Sequence, residues 1–324
     1  MVKVNIISGF LGAGKTTLIR KLLKEALNGD KTVLIENEFG EIGIDAGFLQ
    51  EGGVEIREMN SGCICCSLVG DFKTSLQEVL QTYAPERIII EPSGVGKLSE
   101  VVQAVEAASD HIHISGKVTV VDVNKCKMYL KNFGEFFLNQ VTEADTILLS
   151  RTGTASAEKV QKAVELLREH NDHAVIVTTP WEQLDGKDLL AELERSVNME
   201  AELLAEVEAH HHEHHHEHGE HCTCGHDHHH HHADEVFVSW GMETPAVYTK
   251  EKVEAVLNAL GQEDVLGLVL RAKGMVPAED GSWIYFDYVP EEAEIREGKP
   301  AVTGKICVIG SGLKQDALEA LLKA

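Results

Sequence analysis

The chain has 324 residues, 43% of them hydrophobic, and its 53 acidic against 29 basic side chains give a formal charge of −24. That length predicts about two domains, and so acidic a balance excludes a nucleic-acid-binding surface and suits a protein that attracts cations. No apolar run approaches membrane-spanning length and the N-terminus enters the strand-like "VKVNIIS" without a secretory leader, so a cytoplasmic protein with neither membrane nor nucleic acid as partner is expected.

Residues 1–196 alternate short β-branched runs ("KVNIIS", "KTVLIE", "RIIIE", "KVTVVDV", "TILLS", "AVIVT") with segments of helical period such as "TTLIRKLLKEALN" and "SAEKVQKAVELLREH". This rhythm predicts an α/β fold with a largely parallel sheet covered by helices on both faces. The first strand runs into "SGFLGAGKTT", which fits G-x-x-x-x-G-K-[ST] with Gly9, Gly14, Lys15 and Thr16 in the strand-to-helix context the motif requires. Gly12 and Ala13 complete the loop and Thr17 follows it into the helix. Backbone N–H groups of such a loop cradle phosphates, Lys15 bridges the β- and γ-phosphates, and the Thr16 hydroxyl holds Mg²⁺. A nucleoside triphosphate with Mg²⁺ is therefore the expected ligand.

The second strand opens on "IENEFGEIGID", an oxygen-rich loop in which Glu36 ends an apolar strand and so points to the sheet edge where ligands of such folds collect. Glu38 and Asp45 read as solvated. In "NSGCICCS", Cys63, Cys65 and Cys66 place three thiols within four positions, a pattern able to converge on one soft or borderline cation with a carboxylate, a water or a partner's ligand as the fourth donor. Cys63 and Cys66 also satisfy the C-x-x-C spacing of a redox pair. The other cysteines, Cys126, Cys222, Cys224 and Cys307, have no framework spacing, so structural disulfides are not expected. Next, "RIIIEPSG" supplies Glu91 as a Mg²⁺ or water-positioning carboxylate, and Gly94 as a backbone N–H for the γ-phosphate.

Residues 197–234 read as a linker. Positions 210–232 hold 14 of the 18 histidines and offer no apolar face to bury, so disorder and metal buffering are the expectations there. His111, His113, His170 and His173 read as surface or turn residues. Residues 235–324 return to strand and helix patterns, from "EVFVSW" to "LKQDALEALLKA", and predict a smaller α+β domain.

"GFLGAGKTT", "IENEFGEIGID", "NSGCICCS" and "EPSG", in that order, resemble the CobW-like GTPases, relatives of the nickel-insertion GTPases of urease and hydrogenase maturation. The C-terminal segments "VLRAKGMV", "GSWIYFDYVP" and "KICVIGSGL" are similar to that family's second domain, and a histidine-rich linker is common there. The resemblance implies a nucleotide-driven metallochaperone in which GTP with Mg²⁺ orders switch loops, Lys15 and Glu91 serve hydrolysis, and Zn²⁺ or Co²⁺ is held by Cys63, Cys65 and Cys66 with Glu36 and Glu41 near. It also implies a client metalloprotein, which the sequence does not name, and a homodimer dependent on nucleotide or metal. At the family's guanine-reading [N/T]-K-x-D the chain has "ILLSRTG": Ser150 and Arg151 take the first two places, as nucleotide-binding candidates, and Gly153 replaces the acid. Relaxed base choice is the expectation, with Glu158 or Asp185 as substitute acids. Two rival readings are a histidine-rich metal-storage protein and an accessory NTPase for a corrinoid or cobalt enzyme.

Overall fold

A computed structural model describes residues 1–36, 55–58, 69–194 and 238–323. Its contacts divide the chain into two compact units, Met1–Ser196 and Val197–Ala324.

Among its described residues the first unit is built on seven strands, β1 (Val2–Gly9), β2 (Thr32–Glu36), β3 (Glu55–Glu58), β4 (Arg87–Glu91), β5 (Ile112–Asp122), β6 (Thr146–Ser150) and β7 (Val175–Val177). They lie in the order β3-β2-β4-β1-β5-β6-β7, and every pairing is parallel. β4 and β6 are buried at all five positions because helices cover both faces, which is why they read as unbroken apolar runs rather than alternating ones. Among the described residues, helices lie between and after the strands: α1 (Lys15–Glu25), α2 (Val69–Tyr83), α3 (Leu98–Glu106), α4 (Cys126–Asn132), α5 (Gly134–Thr142), α6 (Ala157–Arg168) and α7 (Gly186–Leu193). Their apolar positions recur at helical spacing: α1 buries Leu18, Ile19, Leu22 and Leu23, and α6 buries Val160, Ala163, Val164 and Leu167 after Ser156 caps its first turn by accepting from Lys159 N. The core gathers Val4, Ile6, Ile88, Ile90, Val121, Ile147 and Leu149 from the strands against Leu76, Val101 and Phe137 from the helices. Cys126 lies in it as a free thiol, pushed up to about 12 by burial. Of the four isolated histidines, His113 lies inside β5, a strand that begins five residues earlier than the run "KVTVVDV" indicates.

A parallel sheet brings the carboxyl ends of its strands to one edge. Here Gly9, Glu36, Glu91, Asp122 and Ser150 end β1, β2, β4, β5 and β6 respectively. Glu36 is the register partner of Glu91, and Asp122 that of Ser150. The order of the strands reverses about β1, where β4 lies on one side and β5 on the other, and ligands of open α/β sheets collect in such a crevice.

The second unit holds β8 (Val238–Thr244), α8 (Lys250–Leu260), α9 (Glu263–Leu266), β9 (Leu268–Pro277), β10 (Trp283–Val289), β11 (Glu292–Gly298), β12 (Gly304–Ser311) and α10 (Gln315–Lys323). Its five strands form an antiparallel sheet in the order β11-β10-β9-β12-β8. Val253, Leu257 and Leu260 of α8 and Leu318 and Leu322 of α10 pack with Ala272, Val276, Phe286, Ile306 and Val308 of the strands. Among the described residues no helix is long and apolar enough to cross a membrane.

Candidate nucleotide-binding site

β1 leaves the sheet at Gly9, turns through Phe10–Gly14 and enters α1 at Lys15. Gly9 has φ +141°, and a Cβ there would lie 2.4 Å from the Val120 carbonyl oxygen of β5, so both the turn and the strand packing require its hydrogen. Gly12 and Gly14 are also left-handed, and Ala13 N donates to Phe10 O at 3.1 Å to close the turn. Among the described residues no side chain caps α1, and no acid occupies its first turn. Its first N–H groups and the positive end of its dipole thus face the loop, which is the arrangement that receives phosphate.

On the β4 side, Lys15 is buried and its Nζ lies 3.7 Å from Glu91 Oε1. Thr16 Oγ1 donates toward both oxygens of the buried Glu91 carboxylate at 3.4 Å. These residues fit a Mg²⁺–triphosphate: two hard oxygens from different elements stand near the roughly 3 Å separation of adjacent ligands in an octahedral Mg²⁺ shell, beside a cradle that only glycine backbone can form. Thr17 is exposed and Ala13 buried. Gly94 closes on the loop so tightly that a Cβ would lie 2.8 Å from Leu11 N. The fully buried Gln140 holds that turn by donating to the carbonyls of Gly94 and Gly96 at 3.2 and 2.8 Å.

On the β6 side, Ser150 is buried, and Arg151 (φ +64°) donates from Nη2 to Gly12 O at 3.1 Å. Arg151 Nε lies 3.2 Å from Oδ2 of Asp122, a carboxylate only 1% exposed whose other oxygen accepts from Asn124 N. Trp181 donates from its indole N–H to Leu149 O at 3.0 Å, and its ring would sit 3.2 Å from a Cβ at Gly14. Tyr129 packs its ring against that of Phe10, with centroids 4.4 Å apart and planes tilted by 41°, and donates to Leu11 O. The loop is thus gripped from both sides. Asp122, Gln140, Tyr129 and Trp181 escape the sequence reading, although Asp122 ends an apolar strand in the same way as Glu36 and Glu91.

The two substitute acids expected from the sequence are engaged elsewhere. Glu158 pairs with Lys162 one turn along α6, which holds its carboxyl below the ordinary value. Asp185 caps α7 by accepting from Lys187 N and Asp188 N, with the same effect. Cys63, Cys65, Cys66, Glu41 and the histidine-rich stretch lie outside the described residues. Among the described residues no three His, Cys, Asp or Glu side chains group as a metal site.

The model of the CobW/HypB/UreG nucleotide-binding domain matches residues 3–178. The chain belongs to that family. The cobalamin synthesis protein cobW C-terminal domain model matches residues 237–324, so this CobW-family chain carries both modules. It is 27% identical over 318 residues to zinc-regulated GTPase metalloprotein activator 1 of Schizosaccharomyces pombe, covering 91% of this chain and 76% of that protein. It is 31% identical over 192 residues to the Escherichia coli zinc chaperone YjiA and 30% over 188 to zinc chaperone YeiR, matches that span 57% of this chain in each case and 59% and 57% of those proteins. The crystal structure of Zn(II)-bound YjiA GTPase from E. coli aligns over 99% of this chain and 98% of its own, at 21% identity and a TM-score of 0.43.

Proposed function

We propose that the chain is a nucleoside triphosphate-driven zinc metallochaperone, and the observation that carries the nucleotide half is the Lys15–Glu91–Thr16 cluster at the glycine loop. The loop N–H groups and the α1 N-terminus take the phosphates, and Lys15 balances charge on the β- and γ-oxygens. Mg²⁺, held through Thr16 and Glu91, supplies neutralising charge to the same oxygens. In this reading Glu91, whose register partner in β2 is Glu36, orients the attacking water. Gly94 brings a backbone N–H to the γ-end of the loop.

The metal half rests on the thiols of "GCICC" and on the zinc chaperone names of relatives. In this reading Cys63, Cys65 and Cys66, with Glu36 or Glu41, hold Zn²⁺ as cargo, and Co²⁺ is an alternative ion for the same thiolates. Nucleotide and metal binding are coupled in this reading, so each tightens the other by the same factor and hydrolysis releases the ion to a client. The histidine-rich linker keeps a local supply.

The test pairs two variants. Lys15→Ala is expected to lose triphosphate binding while keeping one tight zinc site, and the triple change of Cys63, Cys65 and Cys66 to Ser to lose that site while keeping nucleotide binding. Undiminished hydrolysis in a folded Lys15→Ala protein removes the first half of the proposal. An unchanged tight site in the triple variant moves the metal chemistry to the linker.

A further inference from the structure

We infer that this nucleotide site takes guanine and adenine triphosphates with little preference, because the segment that must face the base offers no carboxylate to read guanine. The inference rests on the nucleotide reading above. Lys15, Thr16 and Glu91 fix the γ-end of the triphosphate on the β4 side, so the nucleoside extends to the opposite side of the loop. The described segments that touch the loop there are the turns after β6 and β7, through Arg151 on Gly12 and Trp181 on Gly14.

Guanine presents two adjacent donors, N1–H and the 2-amino group, which an acceptor-only carboxylate can take together; adenine presents an acceptor flanked by its 6-amino donor. A site with a buried carboxylate rejects adenine because its own oxygens go unpaired, and a site without one discriminates far less. Ser150, Arg151, Thr152, Gly153 and Thr154 contain no acid, nor do Thr178, Thr179, Pro180 and Trp181. Of the nearby acids, Asp122 is paired with Arg151, Glu158 with Lys162, and Asp185 caps the start of α7. The exposed Glu182, next after Trp181, is the remaining carboxylate in these turns, and Glu182→Gln tests it directly. Arg151 is tied to Asp122 and Gly12, which leaves its flat guanidinium a stacking surface without preference for one purine. The hydroxyls of Ser150 and Thr154 donate to Val121 O and Arg151 O. That of Thr152 is buried with no hydrogen-bond partner among the described residues, and a hydroxyl donates or accepts with equal ease.

Gly153 is where an acid can be restored. It lies in the short turn Thr152–Thr154, and among the described residues a Cβ there meets the Pro180 ring, at 3.5 and 3.6 Å, which is ordinary van der Waals contact. The experiment titrates GTP, ITP and ATP, each with Mg²⁺, into the full chain and into Gly153→Asp, Gly153→Asn and Glu182→Gln, with thermal unfolding to confirm folding. The wild-type chain is expected to bind all three within about tenfold of each other, a span of about 1.4 kcal/mol. Gly153→Asp is expected to raise the GTP-to-ATP ratio at least tenfold with ITP between them, while Gly153→Asn and Glu182→Gln leave the ratio unchanged.

A wild-type preference for GTP over ATP of a hundredfold or more overturns the inference, and loss of that preference in Glu182→Gln would pass guanine reading to Glu182. A folded Gly153→Asp chain with an unchanged ratio also overturns it, because the base then does not face this turn. Failure of the wild-type chain to bind any of the three is a different result and removes the nucleotide reading itself.

Discussion

Replacing Glu91 by Gln separates the two duties that its carboxylate performs. Without nucleotide it is a counter-charge for Lys15, whose side chain is 9% exposed; at 3.7 Å and an effective dielectric of about 20 that attraction is about 4 kcal/mol. The amide keeps a polar oxygen for Thr16 and the vacated charge relaxes, so the net loss is about 2 kcal/mol, as for hydrogen bonds to charged groups. For a unit of this size that lowers Tm by about 4–8 °C. A metal-free triphosphate brings its own negative charge to Lys15 and meets repulsion from Glu91, which the variant lacks. Glu91→Gln is therefore expected to bind metal-free nucleotide more tightly, by up to about thirtyfold if the full 2 kcal/mol is recovered, and to lose most of the affinity that Mg²⁺ adds to the wild-type chain. Calorimetric titration in chelator and in Mg²⁺, beside thermal unfolding, reads both effects. A variant with wild-type Tm and wild-type Mg²⁺ dependence would refute the placement of Glu91 between lysine and metal.

Glu194→Gln removes the carboxylate that faces the buried Arg87, which also donates to Asn5 Oδ1 at 2.5 Å. Burial pulls the Glu194 carboxyl up, but Arg87, Lys3 and Asn5 together leave it below its ordinary value. Its stabilisation is therefore complete above the unfolded value of about 4.3 and is lost as pH falls through the lower folded one. The variant should lose about 1–3 kcal/mol between pH 6 and 8 by urea unfolding, and the gap should close on acidification below about pH 4. Gly9→Ala forces a Cβ to within 2.4 Å of Val120 O at φ +141°, and should cost about 2–4 kcal/mol and weaken nucleotide binding. Unfolding and titration of one sample check both, and wild-type values for both would show that the loop is not held against β5.

Much of the fold is visible in the residues because its signals are local. β-branched runs mark the strands, helical periods mark the covering helices, and the glycine spacing of residues 9–16 marks the phosphate loop. Glu91 is legible for the same reason, as an acid that ends an apolar strand, and Asp122 carries that signal in "VTVVDV" without a motif around it. What stays hidden is long-range. Arg151 reaches a carbonyl 139 positions upstream, Gln140 holds a turn more than 40 positions away, and Trp181 lies on Gly14; no period or spacing announces such partners. Glu158 and Asp185 show the converse, since local pairing with Lys162 and capping of α7 decide their orientation.

Coupling between nucleotide and metal is the central claim, and zinc affinity measured with and without nucleotide tests it most directly. Competition with a chromophoric chelator, on the chain lacking residues 210–232, reads the tight site without the histidine-rich stretch. The account predicts one site that tightens at least about fivefold with a non-hydrolysable triphosphate and Mg²⁺, and that disappears when Cys63, Cys65 and Cys66 are changed to Ser. Equal zinc affinity in the presence and absence of nucleotide, with the triphosphate shown to be bound, would contradict it.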